Sequence, residues 1–185
     1  VHADIIYLCS PNNPTGAVYT EDDIKKMAEI LERKQAEFGT SIYLFSDEPY
    51  REIAFNGLEI PYVTKYYRNT IVGYSYSKSL SLPGERIGYL VVPGELDDFD
   101  EVIGAMVVAN SILGFVNAPT LMQKVIKKVI GNTSDLSVYE ENKNILYKAL
   151  TEMGYECVEP KGTFYMFPKC PIGDDKEFCA KAKEF

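Results

Sequence analysis

Apolar positions along the first two-thirds of the chain come in short runs separated by helical patterns, an alternation that signals an α/β domain built on a largely parallel sheet. Ile5 to Cys9 is a continuous apolar run and reads as a buried strand. Thr20 then opens a helix as N-cap with Asp23 three residues on. Ile24, Met27, Ala28 and Leu31 recur at helical spacing, and Gly39 ends the helix. A second strand is expected over 41–45, a third over 70–74 and a fourth over 86–92, with 50–69 mostly connection around one short helix. The link from Ser75 to Glu85 is too short for a helical crossover and suits a hairpin-like return. The expected sheet therefore has three parallel strands and one antiparallel strand.

Beyond Pro93-Gly94 the pattern becomes helical, with helices expected over 96–112, 118–130 (stopped by Gly131) and 134–153 (stopped by Gly154). Two short strands, 155–158 and 163–167, are expected around Pro160-Lys161-Gly162. Residues 1–133 thus read as part of a large α/β domain and 134–185 as the start of a smaller α+β one. No internal repeat or low-complexity segment interrupts this order.

Composition narrows the function class. With 185 residues, 46% of them hydrophobic and 25% charged, the chain has ordinary globular proportions. No apolar run approaches the ~18 residues of a membrane span, and the first residues lack the order of a secretory signal. The four cysteines, Cys9, Cys157, Cys170 and Cys179, are scattered without zinc spacing or a disulfide framework, and read as small core hydrophobes. A cytoplasmic protein without membrane partner is expected. The net charge of −8 disfavours nucleic acid and requires that any anionic ligand be held by local groups. His2, the only histidine, has no visible partner, so no metal site is expected. The acidic run from Glu95 to Glu101 reads as a solvated helix start.

Ligands of open α/β sheets bind beyond the carboxyl ends of the parallel strands. The first strand runs into Ser10-Pro11-Asn12-Asn13-Pro14-Thr15-Gly16, the second into Ser46-Asp47-Glu48-Pro49-Tyr50, and the third into Ser75-Tyr76-Ser77-Lys78. Singly, these are a turn, a strand end with acids and a surface lysine. Together, a lysine flanked by serines and followed by Arg86 supplies an amine nucleophile, hydroxyl donors and a planar guanidinium in one loop. That set suits an imine to a phosphorylated aldehyde.

The segments SPNNPTG, SDEPY and SYSKSLSLPGERIGY, in this order, resemble the class I/II (fold type I) aminotransferases that depend on pyridoxal 5′-phosphate (PLP), the aspartate and aromatic aminotransferase superfamily. VNAP and KGTFY extend the resemblance over essentially the whole chain. It implies that Lys78 is the Schiff-base lysine and proton shuttle, and that Asp47 pairs with the pyridine nitrogen, where its charge favours the protonated ring. Tyr50 and Asn13 would bond the ring oxygen O3′, and Ser75, Ser77 and Arg86 would hold the phosphate, Arg86 in a bidentate contact. Asn117 would lie near the neighbouring subunit's site or simply in a turn leading into a helix. For Phe164 and Tyr165 core packing is favoured over a place near the substrate.

The family's chain is about twice as long, so the resemblance implies a piece of a longer, homodimeric protein. The expected substrates are an α-amino acid, acidic or aromatic, and a 2-oxo acid, with the piece alone inactive. A PLP-dependent lyase, of the carbon–sulfur lyase or aminocyclopropane-carboxylate synthase type, shares these motifs. So does the aminotransferase-like effector module of certain transcription regulators.

Overall fold

The computed structural model describes residues 3–184. Four strands, β1 (Ile5–Cys9), β2 (Tyr43–Asp47), β3 (Thr70–Ser75) and β4 (Gly88–Val91), form one sheet in chain order. β1, β2 and β3 run parallel and β4 returns antiparallel, as the link lengths require. Helix α1 (Glu21–Phe38) makes the first crossover. It opens on a full capping box, with the Thr20 hydroxyl accepting from Asp23 N while the Asp23 carboxylate accepts from Thr20 N, and it closes on Gly39 in the left-handed region at φ 68.

Ile24, Ala28 and Leu31 of α1 pack on Leu8, Ile42, Leu44, Val63 and Tyr67 in the main core. Full burial of Ile24 or Leu31 stabilises by roughly 1.5–3 kcal/mol each. Alternation along the strands puts Leu8, Leu44 and Ser46 on this covered face and Ile5, Tyr7 and Phe45 on the other. Ile5 and Tyr7 are 66% and 63% exposed, so β1 is not the two-sided buried strand its apolar run suggests.

The connection from β2 to β3 carries only a single 3₁₀ turn, Val63–Lys65, and a buried ion pair secures it. Arg51 Nε donates to Glu48 Oε2 at 2.7 Å, its two other nitrogens reach Ile60 O (2.6 Å) and Pro61 O (2.9 Å), and its guanidinium lies 4.0 Å from the centre of the Tyr62 ring. Ser46 Oγ donates to the second Glu48 oxygen at 2.8 Å. With donors and acceptors matched, this pair avoids the desolvation penalty of an unpartnered charge.

Downstream lie α2 (Tyr76–Ser79), α3 (Phe99–Ile112), α4 (Thr120–Val129), α5 (Ser137–Glu152) and α6 (Asp175–Ala182). Neither α2 nor α6 is announced by apolar periodicity. The acidic run is not merely a solvated helix start. Asp97 accepts from Asn69 Nδ2 and from Ser41 Oγ, both at 2.8 Å, and pairs with Arg68 at 3.0 Å. The Asn69 amide, with Ser41 and Arg68, holds its carboxyl below the usual range. α3 begins only at Phe99.

The strands expected over 155–158 and 163–167 do not form. Thr163 takes φ 64, outside the extended region, its hydroxyl accepts from Tyr165 N in a local turn, and Pro160 and Pro168 lack backbone donors. A bridge between Ala54 and Gly162 and one bond from Lys169 N to Glu156 O remain. Ser134 N donates to Ser79 O at 2.8 Å, tying the expected boundary near residue 133 to α2. Among the described residues no helix is long and apolar enough to cross a membrane, and no three metal-ligating side chains cluster. His2 lies outside the described residues.

Candidate active site

The parallel strands end level with one another. Cys9 is in register with Asp47, and Asp47 with Gly73, so the three segments singled out by sequence leave the sheet at one edge. After β1, Asn12 builds the turn: its Oδ1 accepts from Thr15 Oγ1 at 2.6 Å, and its carbonyl accepts from Gly16 N at 2.9 Å. Gly16 is required there, since it sits at φ 70 and an added Cβ would meet Pro160 Cβ at 2.5 Å.

This turn presents Asn13, whose Nδ2 donates to Tyr50 Oη at 3.3 Å. Tyr50 is only 4% exposed and belongs to a small core with Cys9, Ile53 and Phe55. Burial, reinforced by a neighbouring tyrosine hydroxyl, pushes its proton loss well above the ordinary phenol range. That neighbour is Tyr165, with its Oη 3.2 Å from Tyr50 Oη. Lys78 Nζ lies 5.8 Å from the centre of the Tyr50 ring and 5.3 Å from that of Phe164. Asn13 and Tyr50 are thus in contact, with Lys78 Nζ near the Tyr50 ring. Phe164 is 39% exposed over Lys78, so core packing does not describe it.

Ser75 caps α2 by accepting from Ser77 N at 3.2 Å, and the two serine hydroxyls lie 2.7 Å apart. The β3–β4 register, Ser75 with Gly88, continues through a bond from Tyr76 N to Ile87 O and places Arg86 at the same end of the hairpin as Ser77. No contact joins the Arg86 guanidinium to either serine. It is exposed and donates to Pro83 O at 2.7 Å, on a left-handed backbone at φ 51 that delays the start of β4 to Gly88. Asn117 is exposed in the turn before α4, bonded through its backbone to Phe115.

Asp47 is half-buried at the end of β2, beside a cleft of about 200 Å³ lined by Tyr7, Cys9, Asn12, Asn13 and Tyr19. Tyr7 Oη donates to its Oδ2. Although most of Tyr7 is exposed, partial desolvation beside the cleft and then the bond to Asp47 raise proton loss from its phenol, so it stays a donor. Sequence reading missed Tyr7 as a site group, and for Tyr165 it favoured core packing over a place near the substrate. Tyr7 pairs with Phe45 on the face that carries Asp47, so strand register would have pointed to it. Tyr165 packs against the small core around Tyr50, and only the KGTFY resemblance, not strand register, pointed to it.

The assembly offers an amine near aromatic rings, a carboxylate, a phenol–amide pair, and two hydroxyls with an exposed guanidinium at the hairpin end. Its likeness to known proteins is extensive. The structure superposes on an aminotransferase from Eubacterium rectale with TM-score 0.95 at 52% identity, covering 99% of this chain and 46% of that one. It superposes on aspartate aminotransferase from Thermotoga maritima with TM-score 0.80 at 28% identity, covering 98% and 46%. In sequence it is 31% identical to an aspartate aminotransferase from Pyrococcus horikoshii over 89% of this chain and 41% of the relative. The chain thus spans less than half the length of the relatives it matches. A family model for aminotransferase class I and II matches residues 1–184, and the chain belongs to that family.

Proposed function

We propose that this chain supplies the cofactor-holding part of a PLP-dependent aminotransferase that moves an amino group between an α-amino acid and a 2-oxo acid. The observation that carries the reading is the meeting of Asn13, Tyr50 and Lys78 at one sheet edge, with Asp47 at the adjoining strand end. The donor set fits the cofactor part by part. An amine suits the aldehyde, a carboxylate the pyridine nitrogen, a phenol and an amide the ring oxygen, and hydroxyls with a guanidinium the phosphate. The left-handed backbone of Arg86, unfavourable for a residue with a side chain, is in keeping with a functional constraint at that position.

Bound, PLP supplies an aldehyde for the amine and a ring that draws electron density from the substrate α-carbon. Lys78 Nζ would hold that aldehyde and, when free, would carry the proton that leaves the substrate α-carbon. Asp47, which accepts from Tyr7 on one oxygen, would pair with the ring nitrogen through the other. Asn13 and Tyr50 would hold the ring oxygen, and Ser75, Ser77 and Arg86 would hold the phosphate. This local positive charge answers the net charge of −8.

Relatives named as aspartate and aromatic-amino-acid aminotransferases support an acidic or aromatic amino donor. A division into a large domain to residue 133 and a smaller one beyond, a homodimeric whole protein and a cytoplasmic location complete the reading. The test uses the whole polypeptide that carries this chain. With PLP it shows a visible absorption band that borohydride abolishes, leaving the label on Lys78, and it forms glutamate from aspartate or an aromatic amino acid with 2-oxoglutarate. Label on another lysine would overturn the site. Turnover of the amino acid without any 2-oxo acid would replace transamination by a lyase reaction.

A further inference from the structure

The Tyr50 hydroxyl stands at a three-way junction. Asn13 Nδ2 donates to it at 3.3 Å, and Tyr165 Oη lies 3.2 Å from it on the other side. A phenol oxygen has one proton to give and two lone pairs to receive. The Asn13 amide, which can only donate through its nitrogen, occupies one lone pair. When Tyr165 donates into the second, the Tyr50 proton is left without a protein partner and is available to a ligand oxygen. When Tyr165 instead accepts that proton, Tyr50 has nothing to offer. A negatively charged oxygen facing Tyr50 selects the first arrangement, because a charge-assisted hydrogen bond is roughly twice as strong as a neutral one.

We propose that Tyr165 is a positioning residue that, by donating into the Tyr50 hydroxyl, polarises it and strengthens its hydrogen bond toward the ring oxygen of the cofactor. The inference rests on the PLP reading above. The neighbouring backbone supports a fixed rather than incidental contact. Thr163, 1% exposed, donates its N–H to Ile53 O at 2.8 Å, Lys161 O accepts from Phe55 N at 3.0 Å, and Lys161 N and Gly162 N both reach Gly16 O. The Tyr165-bearing segment is therefore clamped between the turn that presents Asn13 and the turn that follows Tyr50. The Tyr165 ring also meets the Tyr50 ring edge-on at 5.8 Å and lies 4.8 Å from Phe164. Burial and the Tyr165 hydroxyl raise proton loss from Tyr50, so it meets the ligand as a neutral phenol across the working pH range.

The experiment compares wild type, Tyr165→Phe, Tyr50→Phe and the double variant in the whole polypeptide loaded with PLP, following the pH midpoint of the visible cofactor band. Donation from Tyr50 draws charge off the ring oxygen and weakens its hold on the proton shared with the nitrogen of the Lys78 linkage, so losing that donation raises the midpoint. Tyr50→Phe is expected to raise it most, and Tyr165→Phe by less, about half a pH unit for one neutral hydrogen bond acting at one remove. The double variant matches Tyr50→Phe alone. Tyr165→Phe keeps the ring and its contacts, so an unchanged melting temperature accompanies the shift. A wild-type midpoint in Tyr165→Phe, or a shift that adds in full to that of Tyr50→Phe, overturns the inference. Borohydride label in the wild type on a lysine other than Lys78 refutes the PLP site itself, and the inference with it.

Discussion

Gly162→Ala tests the clamp that holds Tyr165 against Tyr50. A Cβ at Gly162 would lie 2.8 Å from Ile53 O, and 2.8 and 2.9 Å from Pro11 Cβ and Cγ. Ordinary contact begins near 3.4 Å, so the atom is too close to both a backbone carbonyl and a proline ring, and neither is the tip of a flexible side chain. The segment must move outward by about 0.6 Å. It then stretches the bonds from Thr163 N to Ile53 O and from Phe55 N to Lys161 O.

Thr163 is 1% exposed, so water does not replace the lost partner. Overpacking costs about 1–3 kcal/mol and each unsatisfied buried amide about 1–3 kcal/mol. The effects overlap, giving a loss on the order of 3 kcal/mol confined to this clamp. Amide hydrogen exchange in the whole polypeptide should speed up at Thr163 and Phe55 by roughly a hundredfold, while β2 and β3 stay protected. Gly104→Ala within α3, where nothing lies within 4 Å, is the control and should be neutral or slightly stabilising. Unchanged exchange at Thr163 in Gly162→Ala would refute the argument.

Asp47→Ala in the whole polypeptide should keep the cofactor but lower turnover on the order of a hundredfold or more, and near-normal steady-state rates would remove Asp47 from the ring nitrogen. Thr20→Ala deletes the capping hydroxyl of α1 and should cost ~1 kcal/mol in denaturant unfolding, with activity unaffected. Tyr67 donates to Ile42 O and is 1% exposed, and burial, then the Glu32 charge, pushes its proton loss up from 10.0 to about 12. The unfolded chain ionises first, so this contribution is fully present below pH 10 and is lost as pH climbs through 12, on the order of 3 kcal/mol in all. Urea unfolding between pH 9 and 12 should show a shallower alkaline decline for Tyr67→Phe than for wild type, and equal slopes would contradict the assignment.

Local chemistry explains which elements were legible. The Thr20–Asp23 box and Gly39 bound α1 because caps are written in adjacent residues. The turn of direction between β3 and β4 follows from link length alone. β2 sits two residues later than its apolar run suggests because Asn69 O must meet Leu44 N, a pairing set by β3 rather than by β2. The one-sided exposure of β1 is equally invisible, since an apolar run does not say which face another element covers. Beyond residue 154 the reading failed on backbone geometry: the left-handed Thr163 and the flanking prolines forbid a ladder that β-rich composition would permit.

The candidate site divides along the same line. Asn13, Asp47 and Lys78 lie at or just past the ends of parallel strands, and their convergence needs only that those ends be level, which the pairings of Cys9 with Asp47 and of Asp47 with Gly73 provide. At about 4.8 Å between neighbouring strands, three such ends fall within about 10 Å of one another. Sequence can therefore name them as soon as strand order is right. Tyr7 and Tyr165 act on those groups from other directions. Tyr7 reaches Asp47 from two residues back on the adjacent strand, a diagonal that only a long side chain spans and only register reveals. Tyr165 arrives from more than a hundred residues downstream, through a bridge of one residue pair at Ala54 and Gly162. The groups nearest the chemistry are thus fixed by strand ends, whereas those that orient them depend on contacts that no local pattern encodes. Substitutions at Tyr7 and Tyr165 should accordingly alter how Asp47 and Tyr50 are held while leaving the sheet intact.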